Sequence, residues 1–197
     1  MNGLINLSRR IDRFSDWIGT ISVYLVIITV ALTFYNVVVR YLGQYIGTQL
    51  SFNTFLELQW HFYSLVFFLS FAYILKHGIN VRVDFIYAHW PTKRKALLDF
   101  VGHLLFLVPF CLLAIWVTIN PVLTAWGRLP NGGWGPWEQS PDPGGLPRAP
   151  IKTMIIIAFV LLLLQTFSEL VKLWVILRGH EELVETELDT ESPLRIE

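Results

Sequence analysis

Three polar pairs stand out in the sequence by residue type and spacing. Glu57 and His61 are four residues apart, which places a carboxylate and an imidazole on one helical face, where they can hydrogen-bond and relay a proton. Lys95 and Asp99 repeat the spacing with His103 one turn further on, and Gln165 and Glu169 repeat it again. In a cleft such pairs do acid–base work. Within a bilayer an ionisable group costs about 2.5–3.5 kcal/mol at a helix centre, so each is first a site candidate. Depth decides between these readings. Glu57 and His61 fall near the outer end of their apolar run, where both are expected to reach water and to play a structural part. Lys95 and Asp99 read as a boundary ion pair beside a hydrogen-bonded His103, and Glu169 lies about a turn inside Lys172, where it can snorkel or pair.

Other chemistry finds no residues to carry it. Haem needs histidines at one depth, yet His61 and His103 differ by roughly 13–17 Å across the membrane, so one iron cannot bind both. His77 with His103 is less clearly excluded, although His77 precedes Gly78 at a helix end. No G-x-S-x-G, H-E-x-x-H or Cys/His pair is present, and no Gly-rich phosphate loop. The single Cys111 lies in an apolar run and rules out an intramolecular disulfide and multi-cysteine metal motifs. The expectation is a non-enzymatic chain without cofactor or metal.

The elements that position these residues follow from composition. Of 197 residues 54% are hydrophobic and only 15% charged, against roughly 25% charged in soluble domains. The net charge is zero, which gives no field for nucleic acid. Four apolar runs, at about 17–39, 55–75, 96–120 and 151–176, are each long enough for a bilayer core that needs about 20 helical residues. An all-α integral membrane protein with four transmembrane helices follows, since a lone segment in lipid must satisfy its own backbone. All Lys and Arg but Arg40, Arg128, Arg148 and Lys152 fall on one side, which places both termini in the cytoplasm. Tryptophans agree: Trp17, Trp90 and Trp174 sit at inner ends, and Trp60, Trp116, Trp126, Trp134 and Trp137 at or beyond outer ends.

Three segments flank this 17–178 membrane domain. In the arm 1–16, Leu4, Leu7, Ile11, Phe14 and Ile18 recur at helical steps opposite Arg9, Arg10 and Arg13, as in an interfacial helix on anionic lipid. Lys93, Arg94 and Lys95 are further lipid anchors, and Val83, Ile86, Tyr87 and Trp90 form a second amphipathic face that Pro91 ends. The external loop 121–150 is too rich in Gly and Pro for a helix or regular strand, and its tryptophans argue for a fold on the outer surface or against another protein. The tail 179–197 is an acidic extension. No span carries a charge at its middle or a Gly/Pro break of the kind that marks a substrate site in carriers.

The run Glu57-Leu58-Gln59-Trp60-His61, the inner Lys76-His77-Gly78-Ile79-Asn80-Val81-Arg82-Val83-Asp84 and the external Ser140-Pro141-Asp142-Pro143-Gly144-Gly145-Leu146-Pro147 resemble the small membrane subunit of tripartite ATP-independent periplasmic (TRAP) transporters, the DctQ-like family. The external motif is similar to a branch associated with 2-oxo acids, other organic acids or polyols. Asn80 departs from the histidine expected before Val-Arg-Val-Asp. The resemblance implies an inner-membrane subunit that scaffolds and anchors a large permease subunit, meets a periplasmic solute-binding protein transiently, and serves sodium-coupled uptake. It makes Glu57, Trp60, His61, Asn80, Arg82, Asp84, Trp137, Ser140, Pro141, Asp142, Pro143, Gly144 and Gly145 partner-interface or structural candidates. Tyr24, Thr29, Thr33, Tyr35 and Asn36 are expected to hydrogen-bond between helices, and Gly19, Ala31 and Gly102 to allow close approach. The alternatives are a membrane anchor for a redox enzyme and an independent small carrier.

Overall fold

The computed structural model describes residues 2–48, 53–79 and 90–180. Among these it contains four long helices: α1 Asn2–Ile46, α2 Asn53–Lys76, α3 Thr92–Ala125 and α4 Ala149–Leu177. Each is long and apolar enough to cross a membrane, so the all-α, four-span class holds. Their ends follow local chemistry. Pro150 occupies the first turn of α4, where its missing N–H has no helical partner to lose. Gly179 ends α4 with φ of 82°, the left-handed conformation that turns the chain away.

Two helices differ from the apolar runs that announce them. The segment expected as a separate arm is the first four turns of α1, which continues unbroken for 45 residues, roughly 67 Å. α3 is interrupted by a π turn at His103–Leu107, closed by the Val108 N–H donating to the His103 carbonyl. Pro109 follows immediately. Its ring crowds the carbonyl four residues back, and the wider turn accommodates it.

α4 is the centre of the bundle. It packs against α1, α2 and α3, while α1 and α2 also pack on each other and α3 leans chiefly on α4. Ile18, Ala72 and Leu161 meet where α1, α2 and α4 converge. Gly19 sits there because a Cβ would fall 2.3 Å from the Tyr73 ring. Gly102 has open space around its Cα and Ala31 is exposed, so neither supports the close approach expected of it. α2 and α3 stand apart over an apolar groove of about 840 Å³, with Phe159 and Leu162 of α4 as its floor. Most large apolar side chains point outward, as they do where the surroundings are acyl chains.

The buried face of the arm is offset from its apolar stripe, of which Ile18 is buried and Ile11 half-buried. Ile5, Ser8, Asp12, Ser15 and Ser22 are buried at alternating steps of three, four and seven, the seam pattern of packed helices. Leu4, Leu7 and Phe14 lie about a quarter-turn away and are exposed, and Arg9, Arg10 and Arg13 are exposed beyond the seam's other edge.

Candidate functional site

The polar side chains gather into two clamps, one at each end of the bundle. The inner clamp joins α1 to α4. Asp12 accepts hydrogen bonds from Gln165 Nε2 and Ser168 Oγ, both at 2.8 Å, on one carboxylate oxygen, and from Lys172 Nζ at 2.6 Å on the other. Gln165 Nε2 also donates to Glu169 at 3.1 Å, and its carbonyl accepts from the Ser15 hydroxyl at 2.7 Å. Because the Ser168 proton is directed at Asp12, Ser8 is the donor in the 2.6 Å contact between the two hydroxyls. Lys172 completes the set with 3.1 Å to Glu169. One consistent proton arrangement satisfies this group, which is the condition for burying it. Glu169 does pair, as expected, with Lys172, and it also accepts from Gln165 of its own helix.

A second tie lies beside it. Asp16 of α1 holds Lys76 at 2.5 Å and His77 Nε2 at 3.0 Å, both at the inner end of α2. The Lys76 side chain is only 4% exposed, so Asp16 supplies the charge that its burial demands. α1 thus grips both neighbours at the inner end.

The outer clamp is built on Glu57, which is 5% exposed and does not reach water as expected. The Leu146 backbone N–H and the Ser140 hydroxyl of the external loop donate to its carboxylate. Thr54, one turn earlier, donates to the Gly144 carbonyl at 2.7 Å. Gly145 makes room for this: a Cβ there would lie 2.8 Å from Glu57 Oε1 and 2.4 Å from the Ser140 Cβ. His61 does not pair with the Glu57 carboxylate. Its Nδ1–H donates to the Glu57 backbone carbonyl at 2.7 Å, and its ring stacks on Trp60.

The loop itself is folded without regular strands. Two isolated antiparallel bridges, Arg128 with Trp134 and Gln139 with Pro147, close two lobes. Gly127, at φ of 98°, lets the chain pass so near Gly135 that a Cβ would meet its carbonyl oxygen at 2.3 Å. Trp126 donates from Nε1 to Thr153 at 2.8 Å and meets Trp137 edge-on at 4.7 Å, while Glu138 pairs with Lys152 of α4. Trp134, Trp137 and Leu129 remain exposed on this side.

The structure therefore joins Glu57 to Ser140 and Gly145, and Thr54 to Gly144, which stand far apart in the sequence. Pro141, Asp142 and Pro143 form the exposed tip of that lobe, Trp60 is exposed at the start of α2, and Lys93 and Arg94 are exposed in the first turn of α3, with Lys95 half-buried. Asn80, Arg82 and Asp84 lie outside the described residues, as do Val83, Ile86, Tyr87 and the tail from Glu181. In α1, Thr29 and Thr33 donate to the carbonyls of Leu25 and Thr29 in their own helix, not across helices. The seam through Asp12 and the Asp16 tie escaped sequence reasoning. The signal for it was Ser8, Asp12, Ser15, Gly19 and Ser22, small or polar at heptad spacing.

Over residues 29–175 the chain matches the family described as tripartite ATP-independent periplasmic transporters, DctQ component. Comparison with curated proteins and with solved structures returns no match. The match takes in α2, α3, the external loop, most of α4 and the last part of α1, including the outer clamp and the α4 half of the inner one. TRAP systems combine this component with a large permease subunit and a periplasmic solute-binding protein. The chain belongs to the DctQ family: it is the small permease component of a TRAP transporter, a multi-pass protein of the inner membrane.

Proposed function

We propose that the chain carries no solute itself and braces the large permease subunit of a sodium-coupled transporter for organic acids or related solutes. One observation carries this reading: the carboxylates Asp12, Asp16 and Glu57 hold helix to helix and loop to helix. Asp12, Gln165, Ser168, Glu169 and Lys172 fix α1 on α4, Asp16 fixes α1 on α2, and Glu57 fixes the loop on α2. Such ties make a stiff unit, and the broad apolar flanks of α1 and α3 offer it lipid and partner surface. The exposed loop residues face the side from which a binding protein approaches. In this reading the arginines of the arm and the basic start of α3 anchor the assembly at the inner leaflet.

The test is reconstitution. Vesicles with this chain alone should show no flux of ¹⁴C-labelled 2-oxo and dicarboxylic acids under an inward sodium gradient. Vesicles that also hold the large subunit, supplied with the binding protein, should accumulate at least one of them. Flux through the chain alone would refute the proposal.

A further inference from the structure

We infer that Glu57 is a positioning residue for the binding protein: its carboxylate latches the Ser140–Leu146 lobe to the outer end of α2, so that the lobe meets that partner already ordered. The inference rests on the external docking proposed above. A lobe rich in Gly and Pro has little of its own to hold it. Within the lobe the Gly145 N–H donates to Asp142, and Ser140 and Leu146 meet across a 3.3 Å backbone bond. These contacts close the turn, and the Gln139–Pro147 bridge and the Glu138–Lys152 pair hold its stem, but none of them ties the lobe to α2.

Glu57 and Thr54 supply that tie. Ser140 and Leu146, the two ends of the lobe, both donate to one carboxylate, and Thr54 takes the Gly144 carbonyl between them. A buried carboxylate with two converging donors is a strong, directional contact. The missing Cβ at Gly145 lets it form. The latched lobe leaves Pro141, Asp142, Pro143 and Gly144 exposed, on the same loop as exposed Trp134 and Trp137. A partner that meets a fixed lobe does not have to order it on binding.

Glu57→Ala and the milder Ser140→Ala are to be compared with the wild type as complexes with the large subunit in nanodiscs. The labelled cognate binding protein, purified with the solute it retains, is titrated onto each. Amide exchange at residues 140–146 and recovery of the large subunit are measured in parallel. Glu57→Ala should speed exchange and raise the Kd for the binding protein by about tenfold, with large-subunit recovery unchanged; Ser140→Ala should raise it by about threefold. Faster exchange with an unchanged Kd would overturn the inference, and so would unchanged exchange. A weaker Kd that tracks loss of the large subunit would make Glu57 merely structural and overturn it as well. Should the wild-type chain fail to retain the large subunit, the proposed function itself fails, and the two failures stay distinguishable.

Discussion

Gln165 uses all its hydrogen-bonding groups inside the protein, between Asp12, Glu169 and Ser15, and is fully buried. Around it two carboxylates share one ammonium, that of Lys172. Removing one member of such a group leaves the others buried and unpaired, whereas replacing charged partners together by apolar residues leaves no orphan. Asp12→Ala should therefore destabilise the chain by about 3 kcal/mol, and Asp12→Leu combined with Lys172→Met and Glu169→Leu, which removes all three charges, by clearly less. Unfolding titrations in mixed micelles would show it. Strictly additive losses would mean that Asp12 and Lys172 do not act as a pair. In the sequence Asp12 is one charge in a basic arm and Lys172 one of several near a helix end. Only the antiparallel approach of α1 and α4 makes them partners, across 160 residues of chain.

At the scale of elements, the α1–α2 contact is set by the absence of a side chain. Gly19 faces the Tyr73 ring so closely that any Cβ must displace it. Gly19→Leu should cost about 1–3 kcal/mol through overpacking, and Tyr73→Ala in the same chain should recover part of it by opening space. Thermal unfolding followed by helical circular dichroism is the measurement; no recovery in the double variant would place the strain elsewhere. Gly19 was legible as a close-approach glycine because it is small within an apolar helix. Gly102 looked the same and is not one, since what a glycine faces depends on the neighbouring helix. The amphipathic stripe of the arm was legible too, with Leu4, Leu7 and Phe14 on one side. Its relation to α4 was not, because hydrophobic period says which residues avoid water, not which face finds protein. In lipid those questions separate, and the small, polar seam marks the protein side.

As a whole molecule the bundle hangs on α4, with α1 and α2 on one flank and α3 on the other. Much of its apolar surface is left for lipid or for a partner. A partner that binds the folded chain raises its apparent stability by mass action. Co-purified with the large subunit, the chain should therefore unfold at a higher temperature than alone in the same detergent. An unchanged Tm would mean that the large subunit contributes no binding energy to this fold.

Composition, run length and the placement of Lys and Arg were enough to determine four membrane helices and the orientation expected of them, because lipid leaves a lone segment no other way to satisfy its backbone. The external motif and the turn around Glu57 could be singled out by residue type. Their union could not, nor could the joining of Asp12 to Lys172 or of Asp16 to Lys76. Those contacts depend on which helices become neighbours and at what height. That is decided when the seam of small and polar side chains closes, and one-dimensional periodicity does not encode it.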